Sequence, residues 1–140
     1  MLSALSDAGV EFLVVGAHAL AVHGRPRATG DLDVWINPTA DNVANVWRAL
    51  SAFGAPLDDL REEDLTKPEV VFQIGIVPKR IDILTSVTGL VFDEAWGRRI
   101  KARYGEVEVP VIGREDLIRN KRELGRPRDL ADADELEATD

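Results

Sequence analysis

Three aspartates stand in strand-like segments where apolar residues would be expected. In TGDLDVWI (29–36), Leu32, Val34 and Ile36 alternate with Asp31, Asp33 and Trp35, the period of a β-strand with one buried face. Strands use aspartate sparingly, yet Asp31 and Asp33 share a face, their Cβ atoms roughly 6–7 Å apart from the two-residue rise. A third, Asp82, interrupts KRIDILTSV (79–87) and faces away from Ile81 and Ile83. If the two strands lie side by side, three carboxylates converge on one patch. Like charges held together are costly unless a cation neutralises them. Hard divalent ions with oxygen ligands, Mg²⁺ or Mn²⁺, suit such a set. A pair of these ions can clamp the attacking and leaving oxygens around a phosphate, so the chemistry this pattern allows is phosphoryl transfer. The plainer alternative leaves the carboxylates in solvent on a half-exposed sheet, with Asp31 closing a turn after Gly30.

Other residues fit a phosphate. LVVGAH (13–18) runs from a strand into a helix start at Gly16, Ala17 and His18, where exposed N–H groups bind anions and glycine permits close approach; an ordinary turn glycine is the alternative. GRPRATG (24–30) offers Arg25, Arg27 and Thr29, and arginine suits bidentate phosphate contacts when it is not simply solvated. The His18 and His23 side chains, five apart, do not share a helix face and read as structural or peripheral. In REDLIRNKREL (114–124), Leu117, Ile118, Lys121 and Leu124 form one helical stripe, which places Lys121 where an apolar residue is expected. It either snorkels to the surface or reaches into the site as a cation for phosphate or leaving group; the second is preferred. Arg126, Arg128, Asp129 and Asp132 follow at the start of the next helix, where Asp129 also suits a cap.

The elements that must position these residues come from a chain of 140 residues, enough for one domain with a proper core. Its residues are 45% apolar and include no cysteine, which excludes disulfides, thiolate zinc sites and a cysteine nucleophile. No apolar run approaches the roughly 20 residues of a membrane helix. The N-terminus lacks a signal-peptide pattern, so a cytoplasmic protein with no membrane partner is expected. Seventeen basic against twenty-five acidic residues give a net charge of -8. That argues against a protein coating nucleic acid but not against a local basic site, since the acid gathers in DDLREED (58–64) and the last twelve residues.

Patterning predicts helices at 2–8, 17–24, within 37–54 and over LVFDEAWGRRI (90–100), and strands at 10–16, 31–36, 69–76, 79–87 and 105–112. Two final helices at 114–124 and 127–136 break at Gly125. This describes a mixed β-sheet flanked by helices, an α/β or α+β domain with a C-terminal helical pair. It spans 1–136 as a single domain with a flexible acidic tail at 137–140.

Together, Gly16-Ala17, Asp31-Leu32-Asp33 and Asp82 resemble the nucleotidyltransferases of the DNA polymerase beta superfamily. More narrowly, VGAHALAVHGRPRATGDLDVWI with the downstream NKRELGRPRDLADADEL is similar to small bacterial members related to abortive-infection and toxin–antitoxin systems. The resemblance implies a minimal domain that binds a nucleoside triphosphate with Mg²⁺. Asp31, Asp33 and Asp82 would ligate metal and Asp82 would help activate an acceptor hydroxyl. Gly16, Ala17 and His18 would cradle phosphates, with Arg25, Arg27 and Thr29 close by; Lys121 would contact them too, with Asp129 beside it. A nucleoside monophosphate would pass to an acceptor, releasing pyrophosphate. The acceptor stays open, an RNA such as a tRNA end, a protein or a small molecule, and a cognate toxin or antitoxin is an expected partner. Where many family members have Gly-Ser or Gly-Gly, this chain has Gly16-Ala17, without a serine hydroxyl. The rival readings are a non-catalytic toxin–antitoxin or partner-binding module that keeps the fold, and a metal-dependent phosphate-ester hydrolase.

Overall fold

A computed structural model describes residues 1–24, 31–76 and 79–138. The segment holding Arg25, Arg27 and Thr29 lies outside the described residues, as do 77–78 and 139–140. Six strands, β1 (Phe12–Val15), β2 (Leu32–Ile36), β3 (Val71–Ile76), β4 (Lys79–Leu84), β5 (Ile100–Tyr104) and β6 (Val107–Val111), form one sheet in the order β3-β4-β2-β1-β6-β5. The β2/β4 and β1/β6 pairs are parallel and the other three antiparallel. Among the described residues six helices flank it: α1 (Leu2–Asp7), α2 (Gly16–Val22), α3 (Ala40–Phe53), α4 (Phe92–Gly97), α5 (Arg114–Leu124) and α6 (Pro127–Ala138). A short 3-10 helix occupies 62–66. The architecture is the mixed, helix-flanked sheet that the patterning predicts. Its α6 takes in residues 137 and 138, which the sequence assigns to the acidic tail. No helix among the described residues is long and apolar enough to cross a membrane.

Local physics accounts for most elements. Thr39 caps α3 by accepting from the Asn42 N–H, Val43, Val46 and Leu50 bury one stripe, and Gly54 ends the helix in the left-handed conformation that glycine adopts without strain. Asn42 is buried, yet its amide is fully used. Its Oδ1 accepts from Glu11 N at 2.7 Å, and its Nδ2 donates to Glu11 O at 2.9 Å and Asn37 O at 2.8 Å. That side chain ties α3 to the entry of β1 and the exit of β2.

Two expectations change. The helix expected through residue 100 stops at Gly97, and Ile100–Tyr104 form an unexpected strand, joined to β6 by a two-residue turn at Gly105 and Glu106. β5 is an edge strand with exposed Lys101 and Arg103, so its apolar content is too low to mark it by hydropathy. The strand expected from residue 31 begins at Leu32, with Asp31 just before it, and its burial does not alternate: Leu32 and Asp33 are both half-buried. Val34, Trp35 and Ile36 are all fully buried, because Trp35 meets Phe92 of α4 edge-on at 5.1 Å. The face that bears Asp33 therefore turns into core one residue pair further on.

Candidate active site

The sheet register brings the carboxylates together. β2 lies parallel to β4 with Asp33 opposite Asp82, so the two side chains leave neighbouring strands, about 4.8 Å apart, on the same face. Asp31 precedes Asp33 on that face. On the other flank, β1 pairs antiparallel with β2, placing Val15 opposite Asp33 and Gly16 directly against it. A Cβ on Gly16 would lie 2.2 Å from Asp33 Oδ2, and Gly16 has φ +68°, so only glycine fits this turn. Burial, then the charge and hydrogen bond of Asp82, then the charge of Asp31, push the Asp33 carboxyl up to about 6, with Arg80 pulling the other way.

Arg80 is the residue that the sequence pattern did not single out. Its Nε lies 3.0 Å from Asp82 Oδ1, and its Nη2 lies 3.4 Å from both Asp82 Oδ2 and Asp31 Oδ2. The signal was the same two-residue spacing that paired Asp31 with Asp33, since Arg80 and Asp82 share a strand face. As the side chains stand, no three acidic or imidazole groups among the described residues are drawn together tightly enough to hold a cation. The donor types nonetheless suit a hard divalent ion: Asp33 stands opposite Asp82, its proton affinity raised by burial and then by its two carboxylate neighbours, and one guanidinium spans Asp31 and Asp82.

A cleft of about 580 Å³ opens beside Asp31 and Asp33. Val15, Gly16, Ala17 and Leu20 form one wall, and Leu84, Ser86, Val87 and Thr88, which end and follow β4, form another. The α5–α6 hairpin closes it with Asn120, Lys121, Leu124, Arg126, Arg128 and Asp132. Asn120 Nδ2 donates to Thr88 O at 3.0 Å and so pins the hairpin to the loop after β4. The size and polar lining suit a nucleotide-sized ligand. These Ser86, Thr88 and Asn120 contributions were not visible in sequence, where nothing relates the loop to the helix.

Lys121 lines this cleft but is buried, its Nζ lying 3.4 Å from Asp129 Oδ1 and 3.5 Å from Asp132 Oδ2. Asp129 is wholly inaccessible and is gripped by Arg126 as well. That hydrogen bond holds its carboxyl below the ordinary range against the opposing effect of burial, with the Lys121 charge assisting. The Lys121 side chain thus neither snorkels outward nor points freely at the carboxylate triad; it clamps α5 to α6. The His18 ring turns towards Tyr104 of β5, centroids 5.9 Å apart, and is not among the side chains lining the cleft. His23 Nε2 lies 2.9 Å from Ile112 O and ties the end of α2 to the end of β6, a structural role as expected.

No family model matches the sequence, and no curated protein does. A solved structure from Thermotoga maritima, of a protein provisionally named a nucleotidyltransferase, matches with a TM-score of 0.65. The match covers 98% of this chain and 86% of that one, at 15% identity. The fold is nucleotidyltransferase-like. At this identity the likeness concerns the course of the backbone alone. In this nucleotidyltransferase-like sheet, the β1–α2 turn, Asp31 and Asp33 at the start of β2 and the α5–α6 hairpin border one cleft, with Asp82 on the strand next to Asp33.

Proposed function

We propose that this chain is a metal-dependent nucleotidyltransferase that moves a nucleoside monophosphate from a nucleoside triphosphate to an acceptor hydroxyl. The observation that carries the reading is the register of Asp33 against Asp82 on one side and Gly16 on the other. Asp31, Asp33 and Asp82 would hold Mg²⁺ or Mn²⁺, which supplies charge neutralisation at the phosphates and a more acidic hydroxyl. Gly16 and Ala17 offer backbone N–H groups to phosphate oxygens, without a serine hydroxyl. In the transfer, the acceptor oxygen bonds to the α-phosphorus, the bond to the bridging oxygen breaks, and pyrophosphate leaves. Asp82 takes the proton of the acceptor hydroxyl. Lys121, held by Asp129 and Asp132, supports the phosphate side of the cleft. An acidic chain with cations gathered at one cleft favours a small donor and a locally presented acceptor, a tRNA end or a partner protein. The bacterial toxin–antitoxin setting, in the cytoplasm, is part of this proposal and rests on the sequence resemblance.

A thermal-shift scan with ATP, GTP, CTP and UTP, with and without Mg²⁺ or Mn²⁺, tests it. A ligand at 100 times its dissociation constant stabilises by about 2.7 kcal/mol, a rise of several degrees in Tm. Metal-dependent stabilisation by a nucleotide, lost in Asp31→Asn, is expected, as is loss of transfer in Asp33→Asn with the fold intact. Retained transfer in Asp33→Asn would end the reading. Free phosphate in place of pyrophosphate would make the protein a hydrolase. Full biological function in a double Asp31/Asp33 variant would make it a partner-binding module.

A further inference from the structure

Among the described residues, Arg80 places a cation between Asp31 and Asp82. Its guanidinium uses Nε and Nη2 on Asp82 and reaches Asp31 with the same Nη2. Two other cations that line the cleft are committed elsewhere, Lys121 to Asp129 and Asp132 and Arg126 to Asp129. Of the described residues, Asp31, Asp33 and Asp82 with Arg80 sum to a formal charge of two negatives, which one divalent ion would cancel. The guanidinium occupies Asp31 Oδ2 and both oxygens of Asp82, so a cation bridging those two residues would compete with it for the same lone pairs.

We propose that Arg80 is a positioning residue that competes with the divalent cation. Its side chain spans Asp31 and Asp82, holds the triad assembled, and gives up these contacts when the metal binds. Arg80 therefore sets the metal affinity of the site, keeping it weaker than three bare carboxylates would make it, while lowering the repulsion among them. A planar fork suits this exchange because it satisfies two carboxylates at once from one strand position, as a lysine ammonium does not. The inference rests on the metal-binding reading above and adds the residue that tunes it.

The test is Mn²⁺ titration of the full chain, following free Mn²⁺ by electron paramagnetic resonance, with Arg80→Gln and Arg80→Lys beside the wild type. Arg80→Gln should bind Mn²⁺ roughly tenfold more tightly, since a like charge has been removed from the ligand set, and Arg80→Lys should fall between. In chelator, Arg80→Gln should melt below wild type and regain the difference with Mn²⁺. A merely structural arginine predicts the reverse, weaker Mn²⁺ binding in the variant. Mn²⁺ binding in Arg80→Gln that is equal to or weaker than wild type overturns the exchange but leaves the metal reading standing. No Mn²⁺ binding in any of the three overturns both. Should Arg80→Gln fail to fold, the wild type still decides: Mg²⁺ should shift the Arg80 ¹⁵Nε resonance and speed its N–H exchange. An unmoved resonance in a chain that demonstrably binds the metal overturns the proposal.

Discussion

Asp33 sits between Asp31 and Asp82 with its carboxyl pushed up to about 6 from an ordinary 3.8, so the folded chain holds that proton more tightly than the unfolded chain does. The sign follows. Below about pH 4 the group is protonated in both states and costs nothing. As pH rises through 6 it ionises in the fold, and that part of the stability is lost. Asp33→Asn should therefore raise Tm at pH 7 while abolishing transfer. Because Asp33 is partly solvated, screening reduces the gain to on the order of 1 kcal/mol. The gain should shrink to nothing as melts are repeated from pH 7 down to pH 4, and saturating Mg²⁺ should close it at pH 7 by stabilising only the wild type. A variant that melts below wild type at pH 7 would contradict the electrostatic account. Asp31, Asp33 and Asp82 were legible as a set because an aspartate in a strand is out of place. Arg80 was not, because an arginine beside a strand end is ordinary until its partners are known.

Between elements, the α5–α6 hairpin depends on a buried lysine and two buried aspartates. Removing one member of such a group leaves an uncompensated charge, and Lys121→Met should cost about 3 kcal/mol in chemical denaturation. Adding Asp129→Asn should restore part of that loss instead of summing, a coupling of about 1 kcal/mol or more in a double-mutant cycle. Strict additivity would mean that Lys121 and Asp129 do not act together. Sequence marked Lys121 as misplaced on an apolar stripe, and the resemblance set Asp129 beside it, but the spacing did not reveal that Asp129 and Asp132 bury the lysine as an ion-paired clamp between the helices. Helices with a clear stripe and a glycine stop, such as α3 and α5, were read well. β5 was missed because its alternation is carried by Lys101 and Arg103, residues that look like a helix surface as readily as an edge strand.

For the molecule as a whole, the sheet order is the part least open to a sequence reading. Adjacent strands predict hairpins, and β3/β4 and β5/β6 are hairpin neighbours, but the parallel β2/β4 and β1/β6 contacts depend on packing between distant segments. The candidate site exists only through those pairings. β3 and β5 are the two edges, and β5 protects its edge with exposed Lys101 and Arg103. Replacing both by valine should leave the unfolding free energy within about 0.5 kcal/mol of wild type yet raise concentration-dependent light scattering. A double variant that stays as monodisperse as wild type would mean the edge is guarded by something else.

The place of β6 in the sheet also bears on how the chain is made. β1 is buried on both faces and has β2 on one side, but its other neighbour, β6, follows it by most of the chain. While the ribosome elongates, Phe12–Val15 present an open apolar strand edge with nothing to pair. The cleft likewise lacks its far wall until α5 and α6 have emerged, so a nascent chain carries the aspartates long before it carries a place for a substrate.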